Sequence, residues 1–332
     1  MSMLVVRLNC LTFPLSAAER KVLAGAGLSL REVEGATDAE VAEAVRDADA
    51  VMVVSSYLKA ASIAGMKRCR VISRVGTGVD KIDLDEATRR GIPVVNLPDF
   101  STEEVADHTM ALLLAAARQL KAYEAGMRAG RQPRGITAMH RLSTRTIGLV
   151  GFGRIGRAVA RRAAGFGMTI LAVDPLLSPE AAAQAGVEAV GLDDALRRSD
   201  YLCLLCPLTE STRGMMTGER LRAMKRDVVL VNTGRGDLVV EQDLVEALRE
   251  GSLRYAALDV FAGINVFAPD GFPTDHPLFS LPNVLLTPHV AAYSEESLAD
   301  ACERGARAVV EALAGKPPRH LVNTGVTPWY ET

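Results

Sequence analysis

Residues 146–175, TIGLVGFGRIGRAVARRAAGFGMTILAVDP, decide the fold of this chain. An apolar run leads into Gly151, Gly153 and Gly156, a helical pattern follows, and a second apolar run ends at Asp174. In this context the first glycine permits a tight turn, the second lets a pyrophosphate approach the backbone, and the third allows close packing of helix on strand. The stretch therefore predicts a Rossmann-type dinucleotide-binding unit.

The acid at the end of the second apolar run indicates which dinucleotide binds. A carboxylate at Asp174 would accept the 2′-hydroxyl of an adenosine ribose and repel a 2′-phosphate, and no lysine or arginine follows closely in VDPLLSPE. We therefore expect NAD as the cofactor, with its pyrophosphate at the helix N-terminus. The predicted cofactor-binding residues of this stretch are Gly151, Gly153, Arg154, Ile155, Gly156 and Asp174.

On both sides of this unit, short apolar runs alternate with amphipathic helical stretches, which is typical of parallel sheets covered by helices. A helix predicted over 102–129 separates two groups of strands, and a last helix is predicted over 294–314. We expect two doubly wound parallel-sheet α/β domains with a cleft between them. The predicted strands are 4–8, 50–55, 70–75 and 93–96 in the first group, and 146–152, 169–173, 201–205, 228–232, 255–260 and 284–286 in the second.

Composition narrows the class of partner. The 332 residues carry a formal net charge of −2 without a run of five like charges, which argues against nucleic acid or a membrane as partner and favours a small soluble substrate. The start of the chain resembles no signal peptide and no apolar run is long enough to span a bilayer, so we expect a cytoplasmic protein. Cys203 and Cys206 should point to opposite faces of a strand, so we expect reduced thiols and no metal site.

Three polar residues follow apolar strands of the second group. Arg235 comes after VVLVNTG, Asp259 lies in YAALDV, and His289 comes after NVLLTP. Open α/β sheets bind ligands at the carboxyl ends of their strands. Hydride transfer from an alcohol needs a base for the hydroxyl proton and a cation that polarises the carbonyl, which histidine and arginine supply.

Several segments resemble the D-isomer-specific 2-hydroxyacid dehydrogenases. The matching segments are RVGTGVDKIDLDEATRRGIPVVNLP, ADHTMALLLAAAR, TIGLVGFGRIGRAVARR, CPLTESTRGMM, VVLVNTGRGDLVVEQDLVEAL, AALDVF and DHPLFSLPNVLLTPHVA. The resemblance implies hydride transfer between NAD and C2 of a small D-2-hydroxy or 2-oxo acid, in a homodimer formed through the long helix. It also implies a flavodoxin-like substrate domain from residues 1–99 and 290–332, and a Rossmann NAD domain from residues 100–289.

The same resemblance implies roles for individual residues. Arg235 would bind the substrate carboxylate and keto oxygen, His289 would be the acid/base, and Asp259 would contact the nicotinamide end of the cofactor. Further cofactor contacts are implied at Thr102, Pro207, Thr212 and Thr233, and the backbone N–H groups around Gly76, Thr77 and Gly78 would bind the substrate carboxylate.

The chain departs from the family at the partner of the histidine. Where most members carry a glutamate that hydrogen-bonds the histidine, this chain has Ile264, in a loop longer than usual. Asn265 is the first candidate for the partner of His289, with Asp270 and Asp275 as alternatives. An amide partner would leave the pKa of His289 near the ordinary ~6.5, so reduction of a 2-oxo acid should slow above about pH 6–7.

A second departure lies in VVSSYLKA, where the family often carries a substrate-binding arginine. Ser55 and Ser56 stand there as candidate substrate contacts, while Tyr57 and Lys59 either face the substrate or lie in a solvated loop. The apolar insert GINVFAPDGF would cover the site and favour a substrate with an uncharged tail.

Two other functions stay open. CPLT and PHVAAYSEES resemble the corepressor-related branch of the family, so the alternative is an NAD(H)-responsive binding protein with little turnover. A dehydrogenase for a formate-like or phosphonate-like donor is the other. Of the remaining histidines, we expect His108 to pack or cap and His276 to be structural, whereas nothing in the sequence decides whether His140 reaches the site of a neighbouring subunit.

Overall fold

The computed structural model describes residues 2–11, 13–131, 139–268 and 271–328. They form two compact units. Unit 1 comprises Met1–Phe100, Phe267–Gly271 and Ser294–Thr332, and unit 2 comprises Ser101–Val266 and Phe272–Tyr293. The chain thus returns to unit 1 twice, at Phe267 and at Ser294. Residues 267–271, which the sequence places in the second domain, group with the first unit, and residues 290–293, which it places in the first domain, group with the second.

Among the described residues of unit 1, five parallel strands form a sheet in the order β2-β1-β3-β4-β5, the flavodoxin-like order. Sequence patterning misses β2, because SLREV is an edge strand with largely exposed side chains and no apolar run. The strands are β1 Leu4–Leu8, β2 Ser29–Val33, β3 Ala50–Val53, β4 Ile72–Arg74 and β5 Val94–Val95, and the helices are α1 Ala17–Gly25, α2 Asp38–Val45, α3 Ala60–Ala64 and α4 Leu84–Arg89.

In the described part of unit 2, seven parallel strands form a sheet in the order β12-β11-β10-β9-β6-β7-β8, which is the Rossmann order with one strand added. The strands are β6 Thr146–Val150, β7 Thr169–Val173, β8 Glu188–Ala189, β9 Tyr201–Leu204, β10 Val229–Asn232, β11 Tyr255–Leu258 and β12 Val284–Leu286. The helices are α5 Thr102–Ala117, α6 Leu120–Arg128, α7 Arg154–Gly165, α8 Pro179–Gln184, α9 Leu192–Arg198, α10 Gly218–Arg222 and α11 Glu241–Glu250, and α12, Glu295–Leu313, belongs to unit 1. The predicted fold class is confirmed.

The prediction of a single helix over 102–129 is wrong, because two helices, α5 and α6, cover this segment. Gln119 has a left-handed φ of 52° and separates α5 from α6. The helical periodicity continues through this residue, so the sequence pattern does not reveal the break.

The core of unit 2 lies on both faces of its sheet. Cys203 is fully buried in one apolar cluster, whereas Cys206, which lies beyond the end of β9 and not on the strand as predicted, packs against the other cluster. Burial raises the pKa of the Cys203 thiol to about 12 and that of Cys206 to about 11, so both are unreactive at neutral pH. No helix among the described residues is long and apolar enough to cross a membrane.

Candidate active site

The glycine turn after β6 is built for a ligand. A Cβ on Gly151, which has φ 102°, would lie 2.6 Å from the Cys206 backbone nitrogen, and one on Gly156 would lie 2.3 Å from the Gly151 carbonyl oxygen. A Cβ on Gly153 would meet nothing within 4 Å. Gly153 is also the N-cap of α7 and supplies no side-chain cap, so the helix N-terminus next to this open space suits a pyrophosphate.

Asp174 follows β7 and lies beside this turn. Its Oδ2 accepts a hydrogen bond from the Phe152 backbone N–H at 2.8 Å, and its Oδ1 accepts one from the Leu176 N–H at 2.9 Å. The carboxylate is partly exposed, so each oxygen retains a lone pair for a ribose hydroxyl. The residues of this turn therefore fit the adenosine end of a dinucleotide.

A second turn, residues 232–236, carries Arg235 and is called the arginine turn. The Asn232 side chain, which is 1% exposed, donates to the Arg235 carbonyl at 2.8 Å and accepts from the Gly234 N–H at 3.0 Å. A Cβ on Gly236 would lie 2.0 Å from the Phe261 carbonyl carbon, so only glycine allows this approach. The arginine turn is therefore fixed by a buried amide on one side and by close packing on the other.

A third turn, residues 287–291, carries His289 and is called the histidine turn. His289 has a left-handed φ of 57°, which costs a residue with a Cβ about 1–2 kcal/mol, and its N–H donates to the Thr287 carbonyl at 3.0 Å. The buried Asp259 carboxylate holds this turn from inside. It accepts from the Thr287 hydroxyl at 2.5 Å and from the Val290 and Ala291 N–H groups at 3.0 Å each.

The environment of Asp259 keeps it ionised. Burial by itself raises the pKa of this carboxyl, but the hydrogen bonds from His108, Thr287, Ala291 and Val290 together hold it below its ordinary value. Asp259 is 0% exposed and its hydrogen bonds position the histidine turn, which the sequence did not suggest, and its predicted contact with the cofactor stays a prediction.

Two residues of α5 contact these turns and were missed as functional candidates. The His108 Nε2 lies 3.0 Å from the Thr287 hydroxyl oxygen and 3.5 Å from the Asp259 Oδ1. The Thr109 hydroxyl lies 2.7 Å from the hydroxyl of Thr233. The expectation that His108 merely packs or caps is therefore incomplete, and the adjacent pair HT, followed by a long apolar run, was the available signal.

The loop that carries Ile264 and Asn265 is tied to the start of α11. Glu241 accepts from the Ala262 N–H at 3.0 Å through one oxygen and lies 2.8 Å from the His276 Nε2 through the other. The His276 Nδ1 accepts from a backbone N–H at 3.3 Å, so the ring hydrogen is on Nε2 and the residue is structural, as predicted. A cavity of about 420 Å³ lies here, lined by Glu241, Ala262, Gly263, Ile264, Pro273, Asp275, His276 and Pro277.

Asn265 is exposed on this loop, and Asp270 lies outside the described residues. The identity of the group beside His289 therefore stays a prediction. In the segment after β9, the Thr212 hydroxyl donates to the Pro207 carbonyl at 2.7 Å, which brings these two predicted cofactor contacts together. Thr102 is the first residue of α5.

In unit 1, a buried asparagine organises the segment after β3. The Asn9 Oδ1 accepts from the N–H groups of Val54, Ser55 and Ser56 at 3.2, 2.8 and 3.0 Å. The Ser56 hydroxyl is buried; it accepts a hydrogen bond from the Asn9 Nδ2 at 2.8 Å and donates one to the Gly35 carbonyl at 3.1 Å. Its hydrogen bonds therefore stabilise the fold. Ser55 is the more exposed of the two serines.

The two neighbours of these serines lie in a solvated loop. Lys59 is exposed and pairs with the exposed Asp38 at 2.6 Å. Tyr57 is 53% exposed and lies under the ammonium group of Lys81. The second of the two interpretations of VVSSYLKA is thus the one that the contacts favour.

The VGTG turn of unit 1 is pinned through its carbonyl groups. The Gly76 carbonyl accepts from the Leu97 N–H at 3.0 Å, and the Gly78 carbonyl accepts from the Arg74 Nε at 2.8 Å. The Thr77 hydroxyl donates to the Leu97 carbonyl at 2.9 Å. Gly76 has a φ of 150°, and a Cβ on it would lie 2.3 Å from a guanidinium nitrogen of Arg74. The turn therefore has a fixed shape that requires glycine at this position.

Comparison with known proteins identifies the family of the chain. The family model described as "D-isomer specific 2-hydroxyacid dehydrogenase, NAD binding domain" matches residues 110–291. A D-3-phosphoglycerate dehydrogenase of Mycobacterium bovis is 38% identical over 315 residues, covering 92% of this chain. The chain spans only 58% of the length of that relative.

Two further relatives are matched over most of their length. A glyoxylate reductase of Korarchaeum cryptofilum is 40% identical over 291 residues, which is 86% of each chain. The crystal structure of a D-lactate dehydrogenase from Aquifex aeolicus, complexed with NAD and lactic acid, superposes with a TM-score of 0.83 at 29% identity, covering 94% of this chain and 96% of that one.

Proposed function

The chain belongs to the D-isomer-specific 2-hydroxyacid dehydrogenase family, and from that premise we propose that it transfers hydride between NAD and C2 of a small D-2-hydroxy or 2-oxo acid. The observation that carries the proposal is the presentation of Arg235 and His289 from the ends of β10 and β12, in the sheet whose β6 leads into the glycine turn. An acid/base and a cation at the carboxyl edge of a dinucleotide-binding sheet suit this chemistry.

Arg235 and His289 have different roles in the proposed reaction. Arg235 binds the substrate carboxylate and polarises the keto oxygen, and His289 gives its proton to that oxygen in reduction or removes the hydroxyl proton in oxidation. When bound, the nicotinamide supplies or accepts the hydride at C2. The Thr77 and Gly78 N–H groups and Ser55 are the proposed substrate contacts of unit 1, because the Gly76 N–H donates to the Arg74 carbonyl at 2.8 Å.

For the cofactor we propose NAD over NADP. The carboxylate of Asp174 would bond the ribose hydroxyls, and it would repel a 2′-phosphate. Gly151, Gly153, Arg154, Ile155 and Gly156 would hold the pyrophosphate, with Thr102, Pro207, Thr212 and Thr233 as further contacts.

We also propose Asn265 as the group beside His289, with Asp275 as the alternative. Reduction consumes the proton of His289, so its rate should fall as the pH rises, and an amide cannot hold that proton as a carboxylate would. A homodimer through α5 and α6 remains our expectation, and the exposure of Leu120 (55%) and Met127 (72%) on α6 supports it.

The test is NADH consumption with a panel of 2-oxo acids: glyoxylate, hydroxypyruvate, pyruvate, phenylpyruvate and 3-phosphohydroxypyruvate. Turnover of at least one acid that falls about a thousandfold in Arg235→Gln, and not in Arg197→Gln, would support the proposal. Arg197 is an exposed arginine of α9 in the same unit and makes a matched control. Tight NADH binding without turnover of any acid would instead favour the corepressor-like function.

A further inference from the structure

Helix α5 contacts both turns that carry the proposed reacting groups. His108 bonds Thr287, which begins the histidine turn, and Thr109 bonds Thr233, which lies in the arginine turn. The two helix residues are adjacent in sequence, and α5 packs against β10 and β11. One rigid element therefore contacts both turns through two neighbouring side chains.

We propose that the His108–Thr109 pair positions His289 and Arg235 relative to each other. Neither residue of the pair is proposed to touch the substrate, so both are positioning residues. The effect on catalysis rests on the proposed function, whereas the effect on the two turns follows from the contacts alone.

The donor and the acceptor of each hydrogen bond follow from the number of hydroxyl hydrogens. Thr287 donates its single hydroxyl hydrogen to the Asp259 Oδ1, so its oxygen accepts from the His108 Nε2, which must carry the ring hydrogen. Thr109 donates its hydroxyl hydrogen to the Val105 carbonyl at 2.7 Å, one helical turn earlier.

The second chain of hydrogen bonds therefore runs in the opposite sense. Because the Thr109 hydrogen is used inside the helix, the Thr233 hydroxyl must donate to the Thr109 oxygen. The histidine turn is thus held by a donor on α5 and the arginine turn by an acceptor on α5. The first series of hydrogen bonds ends on the buried Asp259 carboxylate, and the second ends on the backbone of α5. Neither turn can therefore shift without breaking a hydrogen bond.

The two bonds act on different steps of the same reaction. Loosening the histidine turn misplaces the acid/base, which lowers kcat while the carboxylate is still bound. Loosening the arginine turn misplaces the cation that holds the carboxylate, which raises the KM for the acid, and it also weakens the polarisation of the keto oxygen, which lowers kcat. Since the turns are on separate strands, each bond can be removed without removing the other.

Hydrogen exchange of the full chain tests the proposal without any need for turnover. His108→Leu should speed exchange of the Val290 and Ala291 amides about five- to tenfold and leave exchange of the Gly234 amide unchanged. Thr109→Val should speed exchange of the Gly234 amide by a similar factor and leave the Val290 and Ala291 amides unchanged. His108→Gln and Thr109→Ser retain a donor or a hydroxyl and should restore slow exchange. Thr88→Val in unit 1 removes a hydroxyl that bonds the carbonyl four residues earlier, as Thr109 does, and should change neither turn.

Steady-state kinetics of the same variants then tests the consequence for catalysis. His108→Leu should lower kcat with little change in KM, and Thr109→Val should raise KM for the 2-oxo acid. Exchange that is unchanged in both variants, that rises in both turns together, or that rises equally in Thr88→Val would overturn the proposal. A wild-type chain that reduces no 2-oxo acid would refute the proposed function and leave the exchange result as an independent test of the pair.

Discussion

Two carboxylates at strand ends of one sheet differ in their exposure and in the groups that donate hydrogen bonds to them. Asp174 follows β7, is partly exposed, and accepts one backbone N–H on each oxygen. Asp259 follows β11, is fully buried, and accepts from a hydroxyl and two backbone N–H groups. From the sequence both were expected to contact the cofactor.

The difference shows that two carboxylates at the same edge of a sheet can be used differently by the fold. A buried carboxylate that accepts several hydrogen bonds from one turn fixes the backbone of that turn, whereas a partly exposed one is open to a ligand from solvent. Asp174 therefore remains the proposed residue for cofactor selection, and Asp259 is the carboxylate that holds the turn of His289.

The largest expected effect is on folding stability at Asp259. Asp259→Asn keeps the shape but turns an amide NH₂ toward a donor, so it should lower the free energy of unfolding by about 3 kcal/mol. Urea denaturation of this variant beside wild type measures the difference. A loss no greater than that of Asp174→Asn would contradict the assignment.

The same carboxylate predicts how stability depends on pH. The folded-state pKa of Asp259 lies below its ordinary value, so its stabilisation is complete above the unfolded pKa of ~3.9 and is lost as the pH falls through the folded pKa. Denaturation midpoints between neutral and strongly acidic pH should show a loss in wild type that is smaller in Asp259→Asn. Parallel curves for the two proteins would show that Asp259 does not contribute to the pH dependence of stability.

The next effect is on cofactor choice at Asp174. Asp174→Asn removes the charge that would repel a 2′-phosphate, so the ratio of kcat/KM for NADPH to that for NADH should rise by about tenfold or more, roughly 1.4 kcal/mol. Asp193→Asn, on an exposed residue at the start of α9, is the control for a lost negative charge in the same unit. An unchanged ratio would mean that another residue selects the cofactor.

The smallest effect is on stability at Asp174. Because this carboxylate is partly exposed and its two N–H donors can bond water, Asp174→Asn should cost less than about 1 kcal/mol of unfolding free energy. The denaturation series used for Asp259 measures it. A cost near that of Asp259→Asn would erase the distinction between the two strand ends.

Much of the fold is predictable because buried parallel strands are continuous apolar runs. Strands such as β9, with every residue buried, follow directly from YLCL. The edge strand β2 does not, since its exposed side chains are mostly polar. The break between α5 and α6 depends on one left-handed residue, Gln119, and a periodic pattern carries no information about it.

The candidate site was predictable in its residue types and not in its supports. Arg235 and His289 follow strands and are recognisable, but the bonds of Asn232, Asp259 and Asn9 to backbone N–H groups depend on how each turn folds back. His108 and Thr109 lie far in sequence from the threonines that they contact, at separations of 179 and 124 residues. Only the packing of α5 on the sheet brings them together.

The most direct test of the account is NADH-dependent reduction of a 2-oxo acid by His289→Asn beside His320→Asn. Both histidines have left-handed φ values, 57° and 56°, which asparagine also tolerates, and His320 is an exposed residue of unit 1. We expect His289→Asn to lower kcat by about a hundredfold or more with NADH binding intact, and His320→Asn to have the activity of wild type. Equal activity of the two variants would contradict the role of His289 as the acid/base.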